Sequence, residues 1–210
     1  MKMSKDNKIN ITNEDNMQLM ARYKDNYFDL AIVDPPYGIN VNKMTLGSGK
    51  YKNKGKLWDN ESPKLNYFNE LFRVSKNQII WGANYMIDKI KKPSMGWVYW
   101  DKMNGNSDFS DGELAYTSFN KALRSFKYHL HKDRSIRFHP TQKPVSLYTW
   151  LLVNYAKEGD MILDTHLGSG SIAIACHNLG FNLTACELDK DYYNSTLKRI
   201  KQHQSQLRLL

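Results

Sequence analysis

The stretch FDLAIVDPPY, Phe28–Tyr37, decides how this chain folds and where it acts. Its first residues are mostly apolar and predict a buried strand that ends at Asp34, because the two prolines that follow cannot continue a hydrogen-bonded ladder. The Asp34 carboxyl group and the Tyr37 ring then lie at the carboxyl end of the strand, where ligands bind in open α/β sheets. An acid and an aromatic ring at this position could together bind a planar amino group. The alternative is an ordinary Asp-Pro turn after a strand.

Apolar periodicity predicts alternating strands and helices in the rest of the chain. The predicted strands are 9–11, 28–34, 78–81, 97–100, 114–116, 161–164 and 183–187, and the predicted helices are 16–24, 65–74, 86–90, 145–155, 169–179 and 191–204. This alternation is typical of an α/β fold with a mostly parallel sheet and helices on both faces. The 210 residues are enough for one such domain, so residues 1–210 are interpreted as a single domain.

The composition favours an anionic partner. The formal net charge is +9 at pH 7, which makes nucleic acid the first candidate. The sequence has neither a leader-like start nor an apolar segment long enough to cross a bilayer, so we expect a cytoplasmic protein without a membrane partner. The two cysteines have neither metal-ligand nor redox spacing, and no metal site is predicted.

A second ligand site is predicted towards the C-terminus. The segment DTHLGSGS, residues 164–171, joins a predicted strand to a helix, and Glu187 ends the next strand nineteen positions after Gly168. In nucleotide-binding folds a glycine turn lets the backbone approach the ligand, and an acid about 20 residues later binds the ribose hydroxyls. The turn reads G-S-G rather than G-x-G-x-x-G, so a nucleoside without pyrophosphate, such as S-adenosylmethionine, fits better. The alternative is a structural turn with a surface glutamate.

The order of the two halves is permuted. Only one predicted helix follows Glu187, whereas a nucleoside pocket needs a third neighbouring strand beside the adenine. The strand at 9–11 is predicted to supply it, which places Asp15 or Asn16 at the adenine edge. The reaction segment then comes first in the chain and the cofactor segment last.

Three motifs together resemble the β-class DNA amino-methyltransferases: DPPYG at 34–38, HPTQKP at 139–144, and the unit from Asp164 to Glu187. The resemblance spans most of the chain. It implies a single Rossmann-like, S-adenosylmethionine-dependent methyltransferase domain with circularly permuted motif order, acting on double-stranded DNA in a bacterial or phage-infected cell, as restriction-modification enzymes do. Asp34 at the first position of DPPY implies the N6 amine of adenine as the target, since N4-cytosine enzymes usually have serine there.

The resemblance also implies roles for individual residues. The catalytic segment is Asp34, Pro35, Pro36 and Tyr37, in which Asp34 and the Pro35 carbonyl accept hydrogen bonds from the target amine and Tyr37 stacks on the flipped base. The cofactor-binding candidates are Asp15, Asp34, Thr141, Gln142, Lys143, Pro144, Asp164, His166, Gly168, Ser169, Gly170 and Glu187. Of these, Thr141 to Pro144 are expected at the amino-acid end of the cofactor.

One departure from the family pattern concerns cofactor affinity. The family usually has Asp-Pro-Phe before the glycine turn and Thr after it, whereas this chain has Asp164-Thr165-His166 and Ser171. His166 either replaces the usual aromatic wall, or donates a hydrogen bond to the cofactor carboxylate, or is a surface residue of the turn.

Two basic segments are candidates for DNA contact. Residues 42–56 are predicted to be a mobile basic loop that closes over the flipped base and holds phosphates, the alternative being a solvated charged excursion. Residues 119–138 are predicted to be a short target-recognition segment, so the recognised site is short or loosely read, or a second subunit of a homodimer helps. The candidate DNA-binding residues are Lys43, Lys50, Lys52, Lys54, Lys121, Arg124, Lys127 and Arg134.

Three other functions remain open from the sequence. Two keep the chemistry but change the substrate: N4-cytosine methylation of DNA, and adenine methylation of RNA. The third is a catalytically inactive DNA-binding module that keeps the fold, with His166 as the departure that motivates it.

Overall fold

The computed structural model describes residues 7–39, 59–105, 110–129, 139 and 141–205. In these residues the strands are β1 Ile9–Thr12, β2 Phe28–Val33, β3 Ser75–Trp81, β4 Trp97–Asp101, β5 Gly112–Thr117, β6 Arg124–Lys127, β7 Met161–Asp164 and β8 Asn182–Cys186. The α-helices are α1 Asn16–Ala21, α2 Leu65–Val74, α3 Ile87–Ile90, α4 Val145–Tyr155, α5 Ser171–Leu179 and α6 Lys190–Ser205, and a 3₁₀ turn spans Ala83–Tyr85. No described helix is long and apolar enough to span a bilayer.

All eight strands join one sheet in the order β1-β8-β7-β2-β3-β5-β4-β6. Neighbouring strands are parallel except where β5 pairs with β3 and with β4. The predicted mostly parallel α/β sheet is therefore confirmed. Because β1, β8, β7, β2 and β3 are consecutive and parallel, their carboxyl ends lie along one edge of the sheet, which is where α/β folds bind ligands.

The sheet is buried on both faces, and β2 shows how. Ala31 and Val33 pack with α1, α2 and α3 in one core cluster, whereas Leu30 and Ile32 pack with α4, α5 and α6 in the other. Alternate residues of a strand point to opposite faces, so a strand covered on both sides has a nearly continuous apolar sequence. Burial of Leu30, Ile32 and Val33 contributes about 1.5–3 kcal/mol for each side chain, and this packing fixes the position of Asp34 at the end of β2.

The predicted permuted arrangement is also present. The N-terminal strand β1 pairs in parallel with β8, from Ile9 opposite Leu183 to Thr12 opposite Cys186. The chain start therefore completes the half of the sheet that is otherwise built from the C-terminal β7 and β8.

Several predicted boundaries were wrong by a few residues. α1 ends at Ala21 rather than at 24, β2 and β8 end one residue earlier than predicted, and α3 is a single turn that follows the 3₁₀ turn. α5 begins at Ser171 rather than at 169, because Gly170 precedes it with a left-handed backbone (φ +73°). At that position a Cβ would lie 2.4 Å from the Thr196 side chain of α6, so only glycine fits the approach of the two elements.

One strand was missed. No strand was predicted within 119–138, the segment expected to recognise the target, but Arg124–Lys127 forms β6 at the edge of the sheet, parallel to β4. Its side chains are mostly exposed, so the sequence lacks the apolar run by which a strand is recognised.

Candidate active site

Four candidate residues lie after the carboxyl ends of four adjacent strands. Asp15 follows β1, Glu187 follows β8, Asp164 ends β7 and Asp34 follows β2. The strand order β1-β8-β7-β2 places them side by side along one edge of the sheet. The reaction segment and the cofactor segment, more than a hundred residues apart in sequence, therefore meet at this edge.

The turn after β2 is held by a second acid. The carboxylate of Asp59, which is only 1% exposed, accepts hydrogen bonds from the backbone N–H groups of Tyr37 (2.8 Å) and Gly38 (3.1 Å). The Tyr37 ring lies directly over Gly82, where a Cβ would come within 2.1 Å of the ring. Gly82 has a left-handed backbone (φ +65°), so both its conformation and its missing side chain allow this packing.

The hydroxyl and the ring of Tyr37 both contact other side chains of the site. Its hydroxyl donates to Asp34 Oδ1 at 2.8 Å, and its ring stacks on that of Tyr85 at 5.3 Å with an interplanar angle of 17°. Tyr85 is itself half exposed. Stacking of Tyr37 on a flipped base stays a prediction.

A buried ion-pair network surrounds Asp34. The Lys143 ammonium donates to Asp34 Oδ2 at 2.5 Å, pairs with Glu113 Oε2 at 2.9 Å and donates to the Tyr37 hydroxyl at 3.2 Å. Glu113 makes a second ion pair with Lys102 at 2.7 Å. The Lys143 side chain is only 3% exposed, so its charge requires these partners. Lys143 was predicted at the amino-acid end of the cofactor, but the structure directs its ammonium to Asp34 and Glu113.

The charges in this network shift one another's pKa. Burial raises the pKa of Asp34, and the Glu113 carboxylate acts in the same direction, while Lys143 opposes both. Burial alone would also raise the pKa of Glu113, but the Lys143 and Lys102 ammonium groups hold it at about 2. Burial would lower the pKa of Lys143, but the two carboxylates raise it instead. The pair Glu113 and Lys143 is therefore charged at neutral pH.

The glycine turn and Glu187 are joined by hydrogen bonds. Glu187 Oε2 accepts from the Gly168 N–H at 2.8 Å, and Oε1 accepts from the Asp189 N–H at 2.9 Å. Ser169 is buried, and its carbonyl accepts from Arg199 of α6 at 2.7 Å. Glu187 is therefore not a free surface residue: its carboxylate joins the Gly168 turn to the backbone at Asp189.

The HPTQKP segment is packed against the same turn. Ser171 at the start of α5 donates to the Lys143 carbonyl at 2.7 Å, and the Gln142 N–H donates to the His139 carbonyl at 3.2 Å. Thr141 contacts the His139 ring nitrogen Nδ1 through its hydroxyl at 3.3 Å. Gln142 and Lys143 are buried, and Pro144 precedes the first residue of α4. Through Lys143 the segment thus contacts both the Asp34 turn and the start of α5, and its contact with the cofactor stays a prediction.

His166 is a partly buried member of a hydrogen-bonded chain rather than a free residue of a surface turn. Its Nε2 is 3.0 Å from Asn16 Nδ2 and its Nδ1 is 2.9 Å from Thr165 Oγ1, which in turn is 2.7 Å from the Tyr67 hydroxyl. Because the Asn16 amide nitrogen is a donor, this arrangement leaves the proton of a neutral ring on Nδ1. Burial lowers the pKa of His166 to about 3, which keeps the ring neutral. The ring also packs edge-on against Tyr67 at 5.3 Å.

Asp15 already has a structural role. Its carboxylate caps α1 by accepting from the Met17 N–H at 2.8 Å and the Gln18 N–H at 3.3 Å. Such a cap stabilises a helix by about 1 kcal/mol. Contact between Asp15 and an adenine edge stays a prediction.

The basic candidates for DNA contact are only partly described. Arg124 and Lys127 are exposed on β6, whereas Lys121 donates to the Asn154 carbonyl at 2.9 Å and lies over the Tyr155 ring at 4.9 Å. Lys43, Lys50, Lys52, Lys54 and Arg134, with the whole loop 42–56 and residues 130–138, lie outside the described residues. In the parts that are described, no group of three or more His, Cys, Asp or Glu side chains is arranged to hold a metal ion.

Sequence reasoning missed Glu113, although it contacts both Lys143 and Tyr37. It lies near the start of β5, and because β5 is antiparallel to β3, the start of β5 meets the carboxyl end of β3 at the site edge. A parallel β5 would have placed the same residue at the opposite edge. The only signal in the sequence is an acid at the start of a short apolar run, and this does not reveal strand direction.

Comparison with known proteins places the chain in a family. The model of the N6/N4 DNA methylases matches residues 2–198. The type II methyltransferase M.HpaI of Haemophilus parainfluenzae is 26% identical over 88% of this chain and 71% of its own length. The type II methyltransferase M2.MboI of Moraxella bovis is 24% identical over 93% of this chain and 89% of its own length.

Solved structures share the fold at lower identity. M1.HpyAVI in complex with S-adenosylmethionine superposes with a TM-score of 0.64 at 20% identity, over 91% of this chain and 98% of that chain. PvuII methyltransferase, which is cytosine-N4-specific, gives a TM-score of 0.58 at 11% identity, over 94% and 92%. The family match covers nearly the whole chain, including the Asp34 turn, the ion-pair network and the Gly168 turn: this protein belongs to the N6/N4 family of DNA methylases, the DNA amino-methyltransferases.

Proposed function

We propose that this S-adenosylmethionine-dependent DNA amino-methyltransferase methylates the N6 amine of adenine in double-stranded DNA. The observation behind the proposal is the position of Asp34, whose carboxylate lies at the end of β2 beside Tyr37 and one strand away from β7 and its Gly168 turn. The first residue of the tetrapeptide is an acid, which supplies a charged acceptor for an amine that becomes positive during transfer. By resemblance, N4-cytosine enzymes usually have serine at this position.

The residues present suit a cationic nucleoside cofactor. Asp164, Glu187 and Asp34 lie along one edge, and their mutual repulsion helps to raise the pKa of Asp164. A ligand with a sulfonium and an ammonium group would relieve this repulsion, and Glu187 offers carboxylate oxygens to ribose hydroxyls. When bound, S-adenosylmethionine supplies an electrophilic methyl group at this edge.

The chain's own residues would orient the target nitrogen. The lone pair of an adenine amine is delocalised into the ring, so the amine is a poor nucleophile. Hydrogen bonds from its two N–H groups to Asp34 and to the Pro35 carbonyl would favour a pyramidal nitrogen with its lone pair towards the methyl group. Asp34 would also stabilise the developing positive charge. Flipping the base out of the duplex costs a few kcal/mol, which stacking on an aromatic ring offsets.

Product analysis tests this function directly. DNA incubated with the protein and S-adenosylmethionine, then digested to nucleosides, is expected to contain N6-methyladenine by mass spectrometry. N4-methylcytosine as the only product would overturn the adenine assignment. Methylation of RNA but not of duplex DNA would show that the substrate is RNA. If neither nucleic acid is methylated and calorimetry detects no cofactor binding, the catalytically inactive DNA-binding module is favoured.

Proton release on cofactor binding is expected from Asp164. Burial raises the pKa of Asp164 to about 8, and repulsion from Asp34 and Glu187 adds to it, outweighing the hydrogen bond from the His166 N–H. The carboxyl is therefore mostly protonated at pH 7, and a cationic ligand favours its ionised form. Binding should release about one proton per site at pH 7 and less as the pH rises past 8.

Calorimetric titration in two buffers of different protonation enthalpy measures this release. Asp164→Asn is the matched control, because it keeps an acceptor for the His166 N–H but cannot ionise. The heat of binding should differ between the two buffers by more for the wild type than for Asp164→Asn, because only the wild type can release the Asp164 proton. Equal differences for the two proteins would show that Asp164 does not ionise on binding.

A further inference from the structure

We propose that Lys143 donates a hydrogen bond to the ring nitrogen next to the target amine, and that Glu113 is the positioning residue that holds Lys143 in place. This inference rests on the proposed function, since it concerns the base that enters the same site. Lys143 was predicted in the cofactor pocket, and no role for Glu113 was predicted from the sequence.

The Tyr37 hydroxyl links Asp34 to Lys143. It donates its single proton to Asp34 Oδ1 at 2.8 Å and accepts from the Lys143 ammonium at 3.2 Å. Burial raises the pKa of Tyr37 well above its ordinary value, so the hydroxyl keeps the proton it donates. One polar group thus satisfies an acceptor and a donor that lie next to each other.

The amino edge of adenine offers the same pair of functions. Its N6 amine is a donor and its N1 is an acceptor, and both nitrogens are bonded to the same ring carbon. If Tyr37 leaves Asp34 to stack on the base, Asp34 Oδ1 and one Lys143 proton lose their partner together. The amine and N1 would then replace the hydroxyl, with Asp34 binding the amine and Lys143 binding N1. Cytosine presents the same pair through N4 and N3.

Glu113 is a counter-ion of the Lys143 ammonium. An ammonium group has three protons, and those of Lys143 face Asp34, Glu113 and Tyr37. Glu113 is fixed from its other side by Lys102 at 2.7 Å, in a strand whose backbone is paired on both sides. When the base engages Asp34, Glu113 is the carboxylate that still pairs with Lys143. It therefore keeps the buried ammonium charged and directed at the base.

A modified base separates this role from a structural one. The probe is a duplex containing the enzyme's own site, mapped beforehand on ordinary DNA, with 1-deazaadenine at the target position. This base keeps the amine and lacks the N1 acceptor. For the wild type, kcat/KM should fall by roughly 10- to 100-fold relative to adenine, as expected for one hydrogen bond from a charged donor. Weaker pairing of the modified base affects all variants alike and acts in the opposite direction, by easing flipping.

The variants complete the test. Lys143→Met should lower the rate on adenine but respond to 1-deazaadenine by less than about twofold, and Glu113→Gln should give a response between that of Lys143→Met and the wild type. Lys76→Met is the control: it removes an exposed ammonium that pairs with Asp29 at the opposite end of β2, outside this network, and it should keep the wild-type response.

Two results would overturn the inference. One is a wild type that methylates adenine and 1-deazaadenine equally well, which needs no variant to fold. The other is a folded, cofactor-binding Lys143→Met with the full wild-type response. Failure of the proposed function gives a different result, because ordinary adenine would then not be methylated at all. If N4-methylcytosine is the product, 3-deazacytosine replaces 1-deazaadenine as the modified base.

Discussion

Asp34→Ala is expected to lower the rate of methyl transfer by at least about 10²-fold while leaving cofactor binding within about tenfold of the wild type. The acid acts on the target amine and on the charge that develops there, and removal of one such preorganised group lowers kcat by about 10²–10³-fold. Single-turnover kinetics with saturating cofactor measures the first part, and calorimetric titration with the cofactor measures the second.

The ion-pair network predicts that this variant folds. When Asp34 is replaced, Lys143 still pairs with Glu113 at 2.9 Å, so no buried charge is left without a partner. Asp29→Ala is a suitable control on the same strand, because Asp29 lies at the far end of β2 from the site. There its carboxylate pairs with Lys76 and accepts a hydrogen bond from the Met161 N–H. It should keep its methyl-transfer rate. If Asp34→Ala lost cofactor affinity as strongly as it lost turnover, Asp34 would belong mainly to the cofactor pocket.

Asp34→Asn refines the same test. The amide keeps an oxygen acceptor for one N–H of the target base but removes the charge. A rate between those of the wild type and Asp34→Ala would show that charge and hydrogen bonding both contribute. A rate equal to that of the wild type would mean that the acceptor alone is needed.

The parts of the site that depend on local sequence were predictable. An apolar run stopped by Pro35 and Pro36 is sufficient to define β2 and the position of Asp34, and a glycine turn followed by an acid is sufficient to pair Gly168 with Glu187. The helices α2 and α4 have the predicted bounds, because each has clear apolar spacing and ends at a change of pattern.

The parts of the site that depend on strand direction and on pairing at the sheet edge could not be predicted from the sequence. Glu113 reaches the site only because β5 runs antiparallel, and β6 is a strand only because β4 offers a free edge to exposed residues. Neither choice is determined by the residues concerned, since β-structure depends on non-local partners more than on intrinsic preference. Likewise, the contact of Lys143 with Asp34 joins residues 109 positions apart.

Glu187→Ala is expected to weaken cofactor binding by about 1–3 kcal/mol, with kcat at saturating cofactor close to that of the wild type. Glu187 is predicted to bind the ribose hydroxyls, which do not change during methyl transfer, so the loss should be one of ground-state binding. Its carboxylate also accepts from the Gly168 and Asp189 N–H groups, so the ligand-free variant should have a slightly lower Tm. Calorimetric titration and thermal unfolding measure the two effects separately.

A cofactor analogue distinguishes a ribose contact from a damaged turn. If Glu187 binds the ribose, the wild type should lose affinity for an analogue without ribose hydroxyls, whereas Glu187→Ala should bind the analogue and the normal cofactor equally well, since the contact is already gone. A collapsed turn would instead weaken both ligands and leave their ratio as in the wild type. Glu158→Ala, an exposed acid before β7 at the opposite edge of the sheet, should behave as the wild type throughout. An unchanged dissociation constant in Glu187→Ala would remove Glu187 from the cofactor site.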